Sequence, residues 1–340
     1  MIITLSESEK YYVKLGCKLV IPLRSEISRE FEKCGYVILR GVLDPIDDLQ
    51  PVASEYSKLL NSLSKKWFSE GKLSSEYSDL SFDKRISAVA SEMGGEFYQP
   101  FDISLPQKNI TNDTPMHLGP AVFNLLRNQK LLDAVESFIG PEIYCNPVQH
   151  VRIKPSEKWL DNSEISNPSI ARTYWHQDQG VITEEADESE ILTVWFPMVD
   201  ATVENGCLQV VPGSHKNGLD MHCFTKTSKG IPDDFVGDVR VPLPMKVGDV
   251  LFMNKLTRHG SLPNLSEDIR WSFDLRYNPI GQPIGRKYFP GFVARSRQNR
   301  NSELHDRSIW EKKWHESRSA LSIGQLPNFN RWDPNDPVCA

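Results

Sequence analysis

Residues 191–218, ILTVWFPMVDATVENGCLQVVPGSHKNG, decide the fold. Two β-rich runs, ILTVWFPMVD and GCLQVVPG, are separated by the turn-forming residues of ATVEN. The same pattern extends outward, to EIYCNPVQHVRIK from residue 142 on one side and to VGDVLFMN from 247 and RWSFDLRYNP from 270 on the other. Short strands broken by turns suggest a β-sandwich or barrel.

On both flanks the character changes. In SEISREFEKCG, Ile27, Phe31 and Cys34 fall on one helical face before Gly35 ends it, and the short extended run YVILRGVL follows. Asp44 and Pro45 read as the N-cap and first position of a long amphipathic helix, with apolar residues from Ile46 to Trp67 at spacings of three and four. A further helix is predicted over 124–139, with Gly140-Pro141 closing it, and the Pro-, Asn- and Asp-rich stretch 97–120 reads as loop. WEKKWHESRSALS reads as helical near the C-terminus. The expectation is one domain over 1–340, with a helical N-terminal region over residues 1–141, a β core over 142–282 and a C-terminal helical segment over 283–340.

At 340 residues the chain can bury a core unaided. A net charge of -6 provides no field for a polyphosphate backbone, so nucleic acid is a poor substrate guess. Six cysteines without a C-x-x-C pair indicate neither a zinc knuckle nor a disulfide framework, and a reducing compartment is the simpler reading. The opening MIITLSESEK lacks signal-peptide character and no stretch has the length of a membrane span, so a cytoplasmic location and no membrane partner are expected. Oligomeric state leaves no mark in the sequence.

His176-Gln177-Asp178 puts an imidazole and a carboxylate two residues apart, on one face of an extended segment. Eight histidines and 45 acids would produce about one such match by chance, so the pair needs a third partner. His259 supplies one, just past the strand VGDVLFM, with Arg270 eleven residues further on. Two neutral imidazoles and a carboxylate suit iron(II) with open positions for a chelating co-substrate and dioxygen, although zinc hydrolases use similar donors. A buried Arg270 favours iron, because a guanidinium can clamp the distal carboxylate of a keto acid.

Together, His176-Gln177-Asp178, the 191–218 run, His259-Gly260-Ser261, Asn264, Ser266 and Arg270 resemble the phytanoyl-CoA dioxygenase family, which includes ectoine hydroxylase. The resemblance is loose over residues 30–60 and good over 142–282. It implies a double-stranded β-helix, iron(II) held by His176, Asp178 and His259, and 2-oxoglutarate held by Arg270 with Ser261 on the same carboxylate. It also suggests Gln149 as a further co-substrate contact and Trp195 as a wall of the pocket. The implied reaction is 2-oxoglutarate- and oxygen-dependent oxidation of a C–H bond in a small molecule, by hydroxylation, desaturation or cyclisation. A cupin-like binding protein without turnover is the alternative from another class.

Arg276 shares a strand face with Arg270 and is the candidate anchor for a substrate carboxylate, with Asp274 as a competing internal partner. Arg172 is a second candidate anchor. His215 reads as a turn-tying residue, and 213–240 as either a lid or a tolerated insertion.

Overall fold

RWSFDLRYNP forms one ten-residue strand, Arg270–Pro279, in a computed structural model that describes residues 24–160, 169–224, 229–323, 328–333 and 336–339. Its side chains alternate between two environments. Trp271, Phe273, Leu275 and Tyr277 join the main apolar core, while Arg270, Ser272, Asp274 and Arg276 turn to the other face. That alternation puts helices behind the strand and polar groups in front of it.

Eleven strands lie among the described residues: β1 (Tyr36–Leu39), β2 (Glu142–Lys154), β3 (Leu192–Pro197), β4 (Leu208–Val210), β5 (Cys223–Phe224), β6 (Lys229–Gly230), β7 (Val241–Leu243), β8 (Val250–Asn254), β9 (His259–Ser261), β10 (Arg270–Pro279) and β11 (Phe292–Ser296). A six-stranded antiparallel sheet has the order β1-β8-β3-β10-β2-β11, and a three-stranded one the order β7-β4-β9. Their inner faces meet where Trp195, Leu251 and Met253 of the large sheet pack on Leu208, Val210 and Leu243 of the small one. The protein is thus built on antiparallel sheets with helices around them.

Helices α1 (Arg24–Cys34), α2 (Gln50–Ser69), α3 (Phe82–Met93), α4 (Pro120–Leu126) and α5 (Gln129–Ile139) precede or flank the large sheet; a one-turn α6 (Asp233–Val236) and α7 (Arg307–Ser322) follow. Asp44 accepts from the Ile46 and Asp47 amides as the predicted cap, but the first turn, Pro45–Leu49, is a wider π turn before α2 begins. The single helix expected over 124–139 is two. Asn128 leaves helical geometry and caps Leu131, which starts α5 afresh.

Tyr56 of α2 packs on Trp271 and Phe273 of β10 at centroid distances of 5.2 and 6.2 Å, and its hydroxyl donates to the Phe101 carbonyl at 2.9 Å. This fully buried contact fixes the helix against the strand that carries Arg270. Tyr56→Phe keeps the ring and strips the donor, so a loss of about 1 to 3 kcal/mol in denaturant unfolding is expected. Two buried tryptophans, Trp310 and Trp314, seat α7, whose KKWHESR run is therefore only partly a solvated face.

Cys223 and Cys339 form a disulfide across 116 residues, which corrects the expectation of six unpaired cysteines. Nothing in the spacing announces it, because the pairing depends on where the C-terminal segment docks. That segment also holds Arg331 on Asp187 and the Trp332 indole N–H on the Gly180 carbonyl. Among the described residues no helix is long and apolar enough to cross a membrane. The readings of residues 1–10 and of Cys17 lie outside the described residues, as do 225–228 of the stretch 213–240.

Candidate active site

His259 opens β9 and His176 lies beside it through reciprocal backbone hydrogen bonds of 2.9 Å, amide of each to carbonyl of the other. The two imidazoles therefore stand side by side, 4.2 Å apart at their centroids. Gly260 permits this approach, since a Cβ there would sit 2.9 Å from the Thr173 carbonyl oxygen. Each Nδ1 faces a carbonyl at 2.9 Å, that of Tyr174 for His176 and that of Thr257 for His259, which leaves both Nε2 atoms turned to the interior.

Gln177 is extended and sends its side chain to the Gly218 and Leu256 carbonyls, so Asp178 returns to the histidine side. One Asp178 oxygen lies 3.7 Å from His176 Nε2 and 3.9 Å from His259 Nε2. All three donors fall within 4.8 Å of one another. Burial alone would raise the Asp178 carboxyl, but the Arg276 guanidinium and the two imidazoles outweigh it and hold it below the usual carboxylate range. Burial and the neighbouring His259 push His176 well below the ordinary imidazole value. An ionised carboxylate and a neutral imidazole are the forms a divalent cation needs.

Arg276 does point inward, but it is committed within the protein. It bonds the Asp178 carboxylate, lies 3.3 Å from Asp274 and donates to the Val148 carbonyl at 3.0 Å. The expected substrate anchor is thereby corrected to a positioning residue for Asp178, on whose other oxygen Thr193 donates. Arg172 is likewise occupied, by the buried Glu157 at 3.0 Å. Gln149 faces away, bonding the Ile103 carbonyl and Cys145 on the helical side, because it shares the parity of Val151 and Ile153.

The opposite parity of β2 carries His150, Arg152 and Lys154 inward, and Lys154 stands directly across from Arg270. Both cations are buried, and no described carboxylate pairs with either. Arg270 donates to Ser272 at 2.6 Å and lies over the Trp195 ring at 5.7 Å, with its Nε unpartnered. Burial and nearby Arg152 push its guanidinium down to about 10. Lys154 reaches Thr173 at 2.6 Å and Ser261 at 3.4 Å, and burial with Arg270 drives its ammonium well below the ordinary lysine value. Like charges opposite one another in a ladder are destabilising. This pair makes sense around an anion, and Arg270, Ser261 and Trp195 converge on it. Lys154 escaped the sequence reading, although alternating charges in the apolar run QHVRIK were its visible signal.

Segment 213–240 is tied to this centre. Its Gly218, Asp220 and His222 bond both ends of Gln177, and Asp220 takes Arg258 through two 2.6 Å contacts. His215 donates through Nε2 to the Glu32 carbonyl of α1 at 3.1 Å, so it ties its turn to a distant helix rather than to the turn's own backbone.

Comparison with known proteins agrees with this chemistry. The family model described as phytanoyl-CoA dioxygenase (PhyH) matches residues 31–272. Human peroxisomal phytanoyl-CoA dioxygenase is 25% identical over 255 residues, covering 73% of this chain and 66% of that protein. The 1-deoxypentalenic acid 11-beta-hydroxylase of Streptomyces arenae is 26% identical over 281 residues, covering 79% and 86%. Among solved structures, the non-heme monooxygenase ThoJ in its apo form has a TM-score of 0.55 at 17% identity, covering 87% of this chain and 98% of its own. EvdO2 from Micromonospora carbonacea var. aurantiaca has a TM-score of 0.52 at 19% identity, covering 81% and 100%; both are likenesses of fold.

The protein is an iron- and 2-oxoglutarate-dependent dioxygenase, with dioxygen as the other co-substrate. It belongs to the phytanoyl-CoA dioxygenase family.

Proposed function

We propose that the two sheets form a double-stranded β-helix in which His176, Asp178 and His259 hold iron(II), and that the enzyme hydroxylates an unactivated C–H bond of a small polar metabolite. The observation that carries this is the pairing of a three-donor centre with the buried Lys154–Arg270 cations, which fits a keto diacid bound beside a metal. Bound iron would bring 2-oxoglutarate and dioxygen together, and oxidative decarboxylation to succinate and carbon dioxide would supply the oxidising power.

The protein's own groups set the geometry. Thr193 and Arg276 keep Asp178 ionised and oriented, and the Tyr174 and Thr257 carbonyls fix both histidine rings. Arg270, Lys154 and Ser261 take the distal carboxylate of the co-substrate. Asp178 and His259 are buried, which limits water at two of the three donors. A biosynthetic role is supported by the likeness to a hydroxylase of 1-deoxypentalenic acid.

The test is succinate formation by protein purified without oxygen and loaded with iron(II), compared with zinc-loaded protein. Turnover that requires iron and 2-oxoglutarate is expected; equal turnover with zinc, or none with iron, would sink the reading. Lys154→Met should weaken 2-oxoglutarate binding by about 1.5 to 3 kcal/mol, the worth of one hydrogen bond to a charged group, measured by anaerobic titration.

A further inference from the structure

Arg286 lies between β10 and β11 and is only 3% exposed. It stands beside the turn that begins at Asp178, donating to the Val181 carbonyl at 3.1 Å, while neighbouring Gly285 packs on Ile182. With the Gln107 amide oriented to accept, two further contacts of 3.1 and 2.7 Å are satisfied. These acceptors are neutral, Nε has no partner, and no described carboxylate pairs with the guanidinium. Burial, Arg276 and Arg152 push it down to about 9, against a partial offset from Asp102 and Asp178.

The other guanidiniums around the donor centre are accounted for. Arg276 holds Asp178 and Asp274, and Arg152 lies 3.7 Å from Asp274. Arg270 belongs with Lys154 in the proposed co-substrate site. Arg286 stands instead near Arg276, whose charge bears on it. A keto diacid with one carboxylate at the donor centre and the other on Arg270 and Lys154 has none left for Arg286. A buried charge without a counter-ion is unfavourable unless a ligand supplies one.

Resting on the oxygenase reading above, we propose that Arg286 is the counter-ion for an anionic group of the substrate, a carboxylate or phosphate, and that the substrate is a small organic anion. Held beside the Asp178–Val181 turn, that group would orient the rest of the molecule over the donor centre. Selectivity would then be for the free anion over its neutral ester.

The test uses the full-length protein with iron(II) and 2-oxoglutarate under anaerobic conditions, read by calorimetry. Probes are decanoate and 1-deoxypentalenic acid, each beside its methyl ester, and decyl phosphate. Binding of an acid or of the phosphate is expected, with the esters at least tenfold weaker; which anion binds tells carboxylate from phosphate. Arg286→Gln should erase the preference for the anion, and Arg286→Lys should keep some of it. The proposal is overturned if esters bind as well as acids, if no anionic probe binds, or if the glutamine variant melts normally and still discriminates. Should the glutamine variant not fold, the lysine variant and the acid-to-ester contrast in the wild type decide. Succinate formation by the wild type is measured separately, and its absence would overturn the oxygenase reading rather than the anchor.

Discussion

His259→Ala and Asp178→Ala should each lose nearly all bound iron and all succinate formation, yet differ in stability. Each removes one of three donors gathered within 4.8 Å, and two donors on one face do not hold a labile divalent ion against buffer. The alanine at 259 leaves no charge behind. The alanine at 178 strips Arg276 of its principal carboxylate in a site where both are almost fully buried. That should lower unfolding stability by about 3 kcal/mol, near the low end for breaking a buried pair, because Asp274 stays 3.3 Å from Arg276. Iron analysis and denaturant melts of metal-free protein check both halves. Retention of stoichiometric iron by either variant would remove that residue from the metal site, and equal melts would mean that Asp178 does not stabilise Arg276.

Local periodicity carried the sequence reading as far as the faces of individual strands. In RWSFDLRYNP the alternation of Trp271, Phe273, Leu275 and Tyr277 with Arg270, Ser272, Asp274 and Arg276 is visible in the letters, and the structure keeps that division. The His176–Asp178 pairing was also legible, since it needs only one extended residue between them. What the letters hid was mutual position across the fold. Whether Arg276 meets a substrate or Asp178 depends on where the 178 turn lands relative to β10, a relation between segments 98 residues apart. Gln149 was misplaced by one step of parity, an error that swaps the pocket for the core. Arg286 lies outside any regular strand, where no period predicts direction. The Cys223–Cys339 bond required knowledge of where the C-terminal segment returns.

Arg270→Met is expected to weaken 2-oxoglutarate binding by about 2 to 5 kcal/mol, the range for truncating one member of a buried, hydrogen-bonded charge pair. Iron binding should survive, since the guanidinium contributes no donor to the three-residue centre. The informative readout is stability without co-substrate. Arg270 is 1% exposed, and replacing a buried residue usually destabilises. Here, however, the side chain stands directly across the ladder from Lys154, with Arg152 close enough to depress its charge and no described carboxylate in an ion pair with it. Methionine keeps much of the apolar stem against Trp195 while removing the repulsion. The variant alone should therefore melt no lower than the wild type, but it should gain far less from added 2-oxoglutarate, because stabilisation by a ligand scales with its concentration relative to Kd. A variant that melts lower and still responds fully to 2-oxoglutarate would make Arg270 a structural residue and move the co-substrate site elsewhere.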